Sequence, residues 1–117
     1  RVETVMMDDA EYAVVAFGIA ARLALAAVDS LRAKGLKVGL IRPITLWPFP
    51  DKTFGRFPQV KSYLAVEMNE GQMVLDVRLA VNGRAPVAFF GRGGGFVPSP
   101  ATIEAEVLKM VDGGGAK

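Results

Sequence analysis

The sequence contains neither histidine nor cysteine. Their absence removes the commonest general base, the thiolate nucleophile and most ligand sets for transition metals. A catalyst with these gaps depends on chemistry that comes from outside the chain.

Long apolar runs and clusters of one charge are also missing. No apolar run reaches the roughly 18 residues that span a bilayer, because Arg22 and Asp29 interrupt the longest one, and nothing resembles a signal peptide. The 14 basic and 12 acidic residues are scattered, with a net charge of +2, so the basic stripe that nucleic acids require is absent. Lack of cysteine fits a reducing compartment. We expect a soluble, cytoplasmic protein that binds neither membranes nor nucleic acid.

What is present is a short, apolar chain. Its 117 residues are 51% hydrophobic and 22% charged, which predicts one domain with a single core. The sequence opens on Arg1 rather than Met and reaches a strand pattern almost at once. We therefore expect residues 1–117 to be a single domain excised from a longer chain.

Strand and helix patterns alternate along the sequence. A continuous apolar run over residues 12–17 is typical of a strand buried on both faces. Further strands are predicted over 37–42, over 62–67, which repeats the buried-strand pattern, and over 86–90. Apolar positions three and four residues apart predict helices over 19–34, 71–81 and from 100 to the glycines at 113–115, with a short helix over 51–57. This alternation predicts an α/β fold, a three-layer α/β/α sandwich around a mostly parallel sheet, with a possible extra strand over 3–7.

Helix ends and one turn carry characteristic residues. Gly35 is expected at the C-terminal cap of the first long helix, and Ser99 at the N-cap of the last. Asp51 is expected to cap the short helix, and Asn82-Gly83 predicts a turn. Prolines keep residues 43–50 out of regular structure, so Trp47 and Phe49 in that segment are expected to be core or interface anchors.

Two glycine motifs follow predicted strands, where open α/β sheets bind ligands. The amides of Gly91–Gly95 could bind an anion with help from Arg92, but no Gly-Lys-Ser/Thr follows, which favours a turn with positive φ angles. Gly18 is the only glycine of a dinucleotide fingerprint in its turn, although Arg42 could suit a 2′-phosphate. The broken fingerprint argues against a dinucleotide site.

Acidic residues follow the third long strand. Glu67 and Glu70 could form an acid/base pair, but carboxylates at a helix N-terminus also complement the helix dipole. We expect a structural or interface role for them.

Most of the sequence resembles one family. The resemblance is carried by residues 9–12, 14–18, 31–35, 38–50, 66–69 with Gly71-Gln72, and Gly91-Arg92 before Gly94-Gly95. These stretches are similar to the C-terminal domain of the alpha subunit of 2-oxoacid:ferredoxin oxidoreductases, the 2-ketoisovalerate and 2-oxoglutarate branch. The most specific part is Arg-Pro-Ile-Thr-Leu-Trp-Pro-Phe-Pro over residues 42–50.

The resemblance implies an enzyme that uses thiamine diphosphate with Mg²⁺ to decarboxylate a 2-oxoacid, passes electrons through iron–sulfur clusters to ferredoxin, and releases an acyl-CoA. Clusters need cysteine thiolates, so they must lie outside this chain. By resemblance the thiamine sites also belong to other domains or subunits. The domain itself would have the transketolase C-terminal fold, usually a five-stranded mixed sheet whose first strand, here over 3–7, is antiparallel.

In that fold the domain braces interfaces and is not itself catalytic. Carried over to this sequence, one sheet edge would face other domains and subunits rather than a small molecule, and it would be lined by Gly18, Arg42, Glu67, Asn69, Gly71, Gln72, Gly91 and Arg92. We expect no catalytic residue or metal ligand here, and we expect Glu67→Ala to weaken subunit association more than substrate affinity.

Two alternatives stay open. The chain could be a small nucleotide- or anion-binding α/β module, which calorimetric titration with NADP and coenzyme A distinguishes from an assembly domain. The edge could also contact coenzyme A in the whole complex.

Overall fold

The computed structural model describes residues 2–44, 50–67, 72–91 and 98–112. In this part of the chain five strands and four helices follow in the order β1 (Val2–Val5), β2 (Tyr12–Ala16), α1 (Ile19–Ala33), β3 (Val38–Pro43), α2 (Asp51–Phe54), β4 (Ser62–Val66), α3 (Gln72–Val81), β5 (Val87–Phe90) and α4 (Pro100–Asp112). The predicted strands and helices are therefore present, with ends shifted by at most three residues.

The strands form one mixed sheet in the order β1-β3-β2-β4-β5. β1 is antiparallel to β3, whereas β3, β2, β4 and β5 pair in parallel. β2 and β4 form the centre and are almost completely buried, because helices cover both faces of the sheet. The predicted five-stranded sheet with an antiparallel first strand is confirmed.

Two hydrophobic clusters lie on opposite faces of the sheet. α1 and α4 cover one face, with the alanines of α1 allowing close approach to Val14 and Leu64. α2 and α3 cover the other face, where Phe54 and Met73 pack against Val15. The molecule thus has the three predicted layers, and its sheet separates two helical surfaces.

The caps of the long helices follow from local sequence. At the end of α1 the Gly35 N–H donates to the Arg32 carbonyl (2.9 Å) and the Leu36 N–H donates to the Leu31 carbonyl (3.0 Å). This pair of bonds is the Schellman arrangement, and Gly35 takes the required positive φ of 92°. At α4 the Ser99 hydroxyl accepts the Thr102 N–H at 3.1 Å, as its predicted N-cap role requires.

Two predicted details were wrong. The strand predicted over residues 12–17 includes Phe17, but β2 ends at Ala16 and Phe17 is 40% exposed. Asp51 is not the cap of the short helix: α2 begins at Asp51 itself, with Pro50 in the cap position and no side-chain capping bond. Trp47 and Phe49 lie outside the described residues, so their predicted roles as anchors stay predictions.

None of the four helices that the structure describes is long and apolar enough to cross a membrane.

Candidate functional site

The central strands create a switch point at one edge of the sheet. From β2 the chain crosses through α1 to β3 on one side, and later returns to β4 on the other side of β2. In open α/β sheets the crevice beyond the carboxyl ends of two such strands is where ligands and partners bind. We call the described residues just past these ends, Phe17–Ile19, Glu67 and Gly91, the carboxyl edge.

Glu67 is buried at this edge, with 8% of its surface exposed. Its carboxylate Oε1 accepts a hydrogen bond from the backbone N–H of Met73 at 2.9 Å. That N–H belongs to the first turn of α3, where helical amides have no partner within the helix and the dipole favours negative charge. Glu67 therefore connects the start of α3 to the end of β4. A carboxylate that complements the helix dipole is the alternative that the sequence offers to an acid/base pair.

Gly91 is in direct contact with Glu67. The Glu67 N–H donates to the Phe90 carbonyl at 3.1 Å, which brings the two strand ends together. Gly91 has a φ of 151°, and a Cβ on it would lie 1.8 Å from the Glu67 carbonyl oxygen. Only glycine fits this position, because any side chain would overlap the neighbouring backbone.

Gly18 begins α1 on the other side of the switch point. It has a φ of 66° and a ψ of −138°, and the structure gives α1 no side-chain capping bond and no acidic residue in its first turn. The Ala21 N–H donates to the Gly18 carbonyl, which closes the first turn. The dipole of this 15-residue helix thus ends at the carboxyl edge without a compensating charge from the first turn.

Apolar side chains flank this helix end. Phe17 is 40% exposed and Ile19 is 59% exposed. Arg22 follows one turn later and is also exposed. The switch point therefore presents two large apolar groups next to a positive helix terminus, a surface suited to a macromolecular partner.

The remaining predicted site residues are only partly described. Arg42 lies in β3 and its guanidinium contacts the Glu3 carboxylate of β1 at 3.1 Å, so that ion pair joins the edge strand to the sheet. Gln72 is the first residue of α3. Asn69, Gly71 and Arg92 lie outside the described residues, as does Glu70. The structure thus brings together Glu67 and Gly91, with Gly18 at the end of the adjacent strand.

Groups with perturbed pKa values lie at the opposite end of the sheet. A hydrogen bond from Arg32 lowers the pKa of Asp9, which precedes β2. A hydrogen bond from Lys34 lowers the pKa of Glu104, while burial raises the pKa of Tyr63 near the start of β4. Within the described residues no group of three or more His, Cys, Asp or Glu side chains could hold a metal ion.

Sequence reasoning missed the exposure of Phe17 and Ile19. Phe17 closes the apolar run over residues 12–17, which predicts a buried strand, whereas Ile19 begins the predicted helix without being assigned to its apolar face. The available sequence signal is Gly18, because a glycine between a strand pattern and a helix pattern indicates a turn.

Comparisons with known sequences identify a family. Residues 10–103 match the family described as pyruvate:ferredoxin oxidoreductase core domain II. The ketoisovalerate oxidoreductase subunit VorB of Methanothermobacter marburgensis is 45% identical over 96 residues, which cover 81% of this chain and 27% of that protein. The 2-oxoglutarate synthase subunit KorA of Methanocaldococcus jannaschii is 37% identical over 100 residues, covering 86% of this chain and 27% of that protein. The chain spans about a quarter of the length of these curated relatives.

Solved structures share the fold. A 2-oxoglutarate:ferredoxin oxidoreductase from Magnetococcus marinus, with 2-oxoglutarate, coenzyme A and succinyl-CoA bound, superposes with a TM-score of 0.77 at 21% identity, covering 95% of this chain and 20% of that chain. A split-gene transketolase in an inactive β4 tetramer gives a TM-score of 0.80 at 19% identity, covering 96% of this chain and 41% of that chain.

Proposed function

This chain belongs to the pyruvate:ferredoxin oxidoreductase core domain II family, and from that we propose that it is a non-catalytic assembly domain of a 2-oxoacid:ferredoxin oxidoreductase. The whole enzyme would convert 2-oxoacids oxidatively to acyl-CoA and pass the electrons to ferredoxin. Residues 1–117 would form one domain of a longer subunit. The names of the relatives, which are subunits of ketoisovalerate and 2-oxoglutarate enzymes, support this assignment.

The observation that carries the interface role is the exposed apolar surface at the carboxyl edge. Phe17 and Ile19 lie beside the start of α1, where the described structure supplies no side-chain cap. A neighbouring domain that covers them would remove apolar surface from water and could bring an acceptor to the free amides of the helix. Glu67 and Gly91 keep the adjoining strand ends in a fixed geometry for that contact.

The cofactors of such an enzyme would be held elsewhere. Iron–sulfur clusters do not fit this chain, because it has no cysteine to ligate them. We assign thiamine diphosphate, its Mg²⁺ and coenzyme A to other domains or subunits of the complex. The contribution of this chain is to position those domains.

The activity is tested by purifying the tagged full-length protein from its native source under anaerobic conditions. We expect cysteine-rich subunits to copurify, and we expect CoA-dependent reduction of a viologen dye with one or more 2-oxoacids. A lone, inactive chain would contradict the assignment.

The interface role is tested in the same complex with Ile19→Gln. Because Ile19 is exposed, the change should leave the fold intact while weakening subunit or domain association by about tenfold, as expected for an interface anchor. Leu25→Gln, two turns further along α1 and 37% exposed, is the matched control. A raised Michaelis constant with assembly unchanged would count against the proposal.

Glu67→Ala provides a second test at the same edge. The variant loses the acceptor for the Met73 N–H, so the start of α3 is no longer tied to β4. Subunit association should weaken more than substrate affinity changes. Glu67→Gln keeps an acceptor oxygen and should associate nearly as well as the wild type.

A further inference from the structure

A second exposed apolar surface lies on α3, away from the carboxyl edge. Leu75 is 59% exposed and Leu79 is 78% exposed. They are four residues apart, so they form one stripe along the helix. The opposite side of α3 is committed to the core through Met73, Val77 and Val81. The leucine stripe is therefore mostly exposed and lies outside the core packing of α3.

Four cations lie on the same helical layer as this stripe. Arg78 lies between the two leucines in sequence, Arg84 follows α3, and Lys52 and Arg56 lie on and just after the neighbouring helix α2. All four side chains belong to exposed residues. Over α2, α3 and the turns that follow them, the acidic residues are Asp51 and Asp76, so the layer is positively charged.

These cations are not neutralised within the described part of the chain. Arg84 donates to the carbonyls of Val81 and Ala80, and Arg78 donates to the Val87 carbonyl. Arg56 lies over the Phe57 ring, 5.3 Å from its centroid. None of the four forms an ion pair with another described side chain.

The opposite helical layer differs. There Lys34 contacts Glu104, and Lys109 contacts Glu106 at 3.1 Å. Leu25 and Leu108 are exposed on that layer too, but at 37% and 44% they are less exposed than Leu75 and Leu79. The α2–α3 layer therefore combines the two most exposed leucines of the described residues with four cations that form no ion pair there, whereas the α1–α4 layer holds two ion pairs.

We propose that the α2–α3 layer, centred on Leu75 and Leu79, docks onto an acidic protein surface with an apolar centre, carried by another domain or subunit of the same assembly. This inference rests on the proposed function, since the assembly supplies the partner. A second copy of this face is disfavoured, because two positively charged layers would repel each other. The cations would meet carboxylates at the rim, while the leucines are buried at the centre.

The partner is identified by photo-crosslinking in the native complex. p-Benzoylphenylalanine replaces Leu79 in the tagged full-length protein, and Leu108 in a control. We expect the Leu79 probe to crosslink a segment of the assembly in which Asp or Glu residues flank apolar ones, and the Leu108 probe to give no such product. Crosslinking to α3 of a second copy, or to no protein, would overturn the proposal.

Affinity measurements provide a quantitative test. With separately purified partner subunits, Leu79→Gln should weaken association by about tenfold at moderate salt, whereas Leu108→Gln should change it less than about twofold. Arg78→Glu should weaken association and reduce its dependence on ionic strength. Equal effects of the Leu79 and Leu108 variants would contradict a specific docking face.

A membrane is the competing occupant, because basic and apolar side chains also bind anionic lipid. Flotation of the full-length protein with phosphatidylserine-containing vesicles should recover none of it, and recovery that Leu79→Gln abolishes would overturn the proposal. Ile19→Gln separates this inference from the proposed function. If Ile19→Gln assembles normally while Leu79→Gln assembles poorly, the proposed role of the carboxyl edge is wrong and the α3 docking face is supported.

Discussion

Gly91 lies so close to the Glu67 backbone that the two residues behave as one structural unit. The Glu67 carbonyl oxygen occupies the space where a side chain on residue 91 would begin, and the positive φ of Gly91 adds to this restriction. Glu67 in turn reaches the first turn of α3 through its carboxylate. A single glycine thus links the end of β5, the end of β4 and the start of α3.

Gly91→Ala is expected to destabilise the chain by about 2–3 kcal/mol or more, because backbone strain and a steric overlap occur together. Gly35→Ala is the matched control: its φ is also positive, but a Cβ there has no atom within 4 Å. The free energy of unfolding of this control should fall by only about 1–2 kcal/mol, because the left-handed conformation alone destabilises it. Urea denaturation followed by circular dichroism measures both, and equal losses would show that the Glu67 contact is unimportant.

At the scale of elements, the start of α4 is specified by a few neighbouring residues. Ser99 and Thr102 bond reciprocally: the Ser99 hydroxyl accepts the Thr102 N–H, and the Thr102 hydroxyl accepts the Ser99 N–H at 2.9 Å. Pro100 takes the first helical position, where a missing N–H costs nothing. Ile103 and Val107 then face the core. The whole start of α4 is thereby specified within a few residues.

Ser99→Ala is expected to lower the free energy of unfolding by about 1 kcal/mol, since the Thr102 N–H in the first turn of α4 loses its acceptor. Ser99→Asp retains an acceptor at the N-cap and should be close to the wild type. The same urea titration distinguishes them. An Ala variant as stable as the wild type would mean that water replaces the cap without loss.

At the scale of the whole molecule, Arg32 joins α1 to β3 and to the segment between β1 and β2, which lies more than 20 residues away in sequence. From α1 its guanidinium donates to the Val38 carbonyl of β3 (2.9 Å) and to the Met6 carbonyl after β1 (2.7 Å). It also contacts both carboxylate oxygens of Asp9, at 2.7 and 3.3 Å. The segment between β1 and β2 is held against the helical layer by this one side chain.

The Asp9 contact predicts a pH dependence of stability. The hydrogen bond from Arg32 lowers the pKa of Asp9 in the folded state below its ordinary value of 3.8. The stabilisation is therefore complete above the unfolded-state pKa, and it is lost as the pH falls from there through the lower folded-state pKa. Asp9→Asn should lower the melting temperature near neutral pH, and the difference from the wild type should shrink at about pH 3.

Differential scanning calorimetry at both pH values tests this expectation. Glu106→Gln is the control, because it removes the exposed ion pair with Lys109 within α4. Such exposed pairs contribute little to stability. If the melting temperatures of the wild type and Asp9→Asn differ by the same amount at both pH values, the Asp9–Arg32 pair is not the source of the acid sensitivity.

Local pattern and composition by themselves determined the helices, the caps at Gly35 and Ser99, and the turn at Asn82-Gly83, where both φ angles are positive. Those features depend on neighbours within about four residues, which is the range over which sequence periodicity and capping operate. Recognition of the family from the 42–50 stretch and other motifs also needed no structure, and the match over residues 10–103 confirms it.

Which side chains the edges expose depends on the tertiary structure. The pairing of β4 with β5 brings Glu67 beside Gly91, where Glu67 is buried, although residues 67 and 91 are far apart in sequence. Phe17, apolar like its neighbours, is exposed because it lies just past the end of a strand that helices cover elsewhere. Hydrophobicity predicts that a residue can be buried, whereas its exposure depends on long-range strand order, which no local pattern contains.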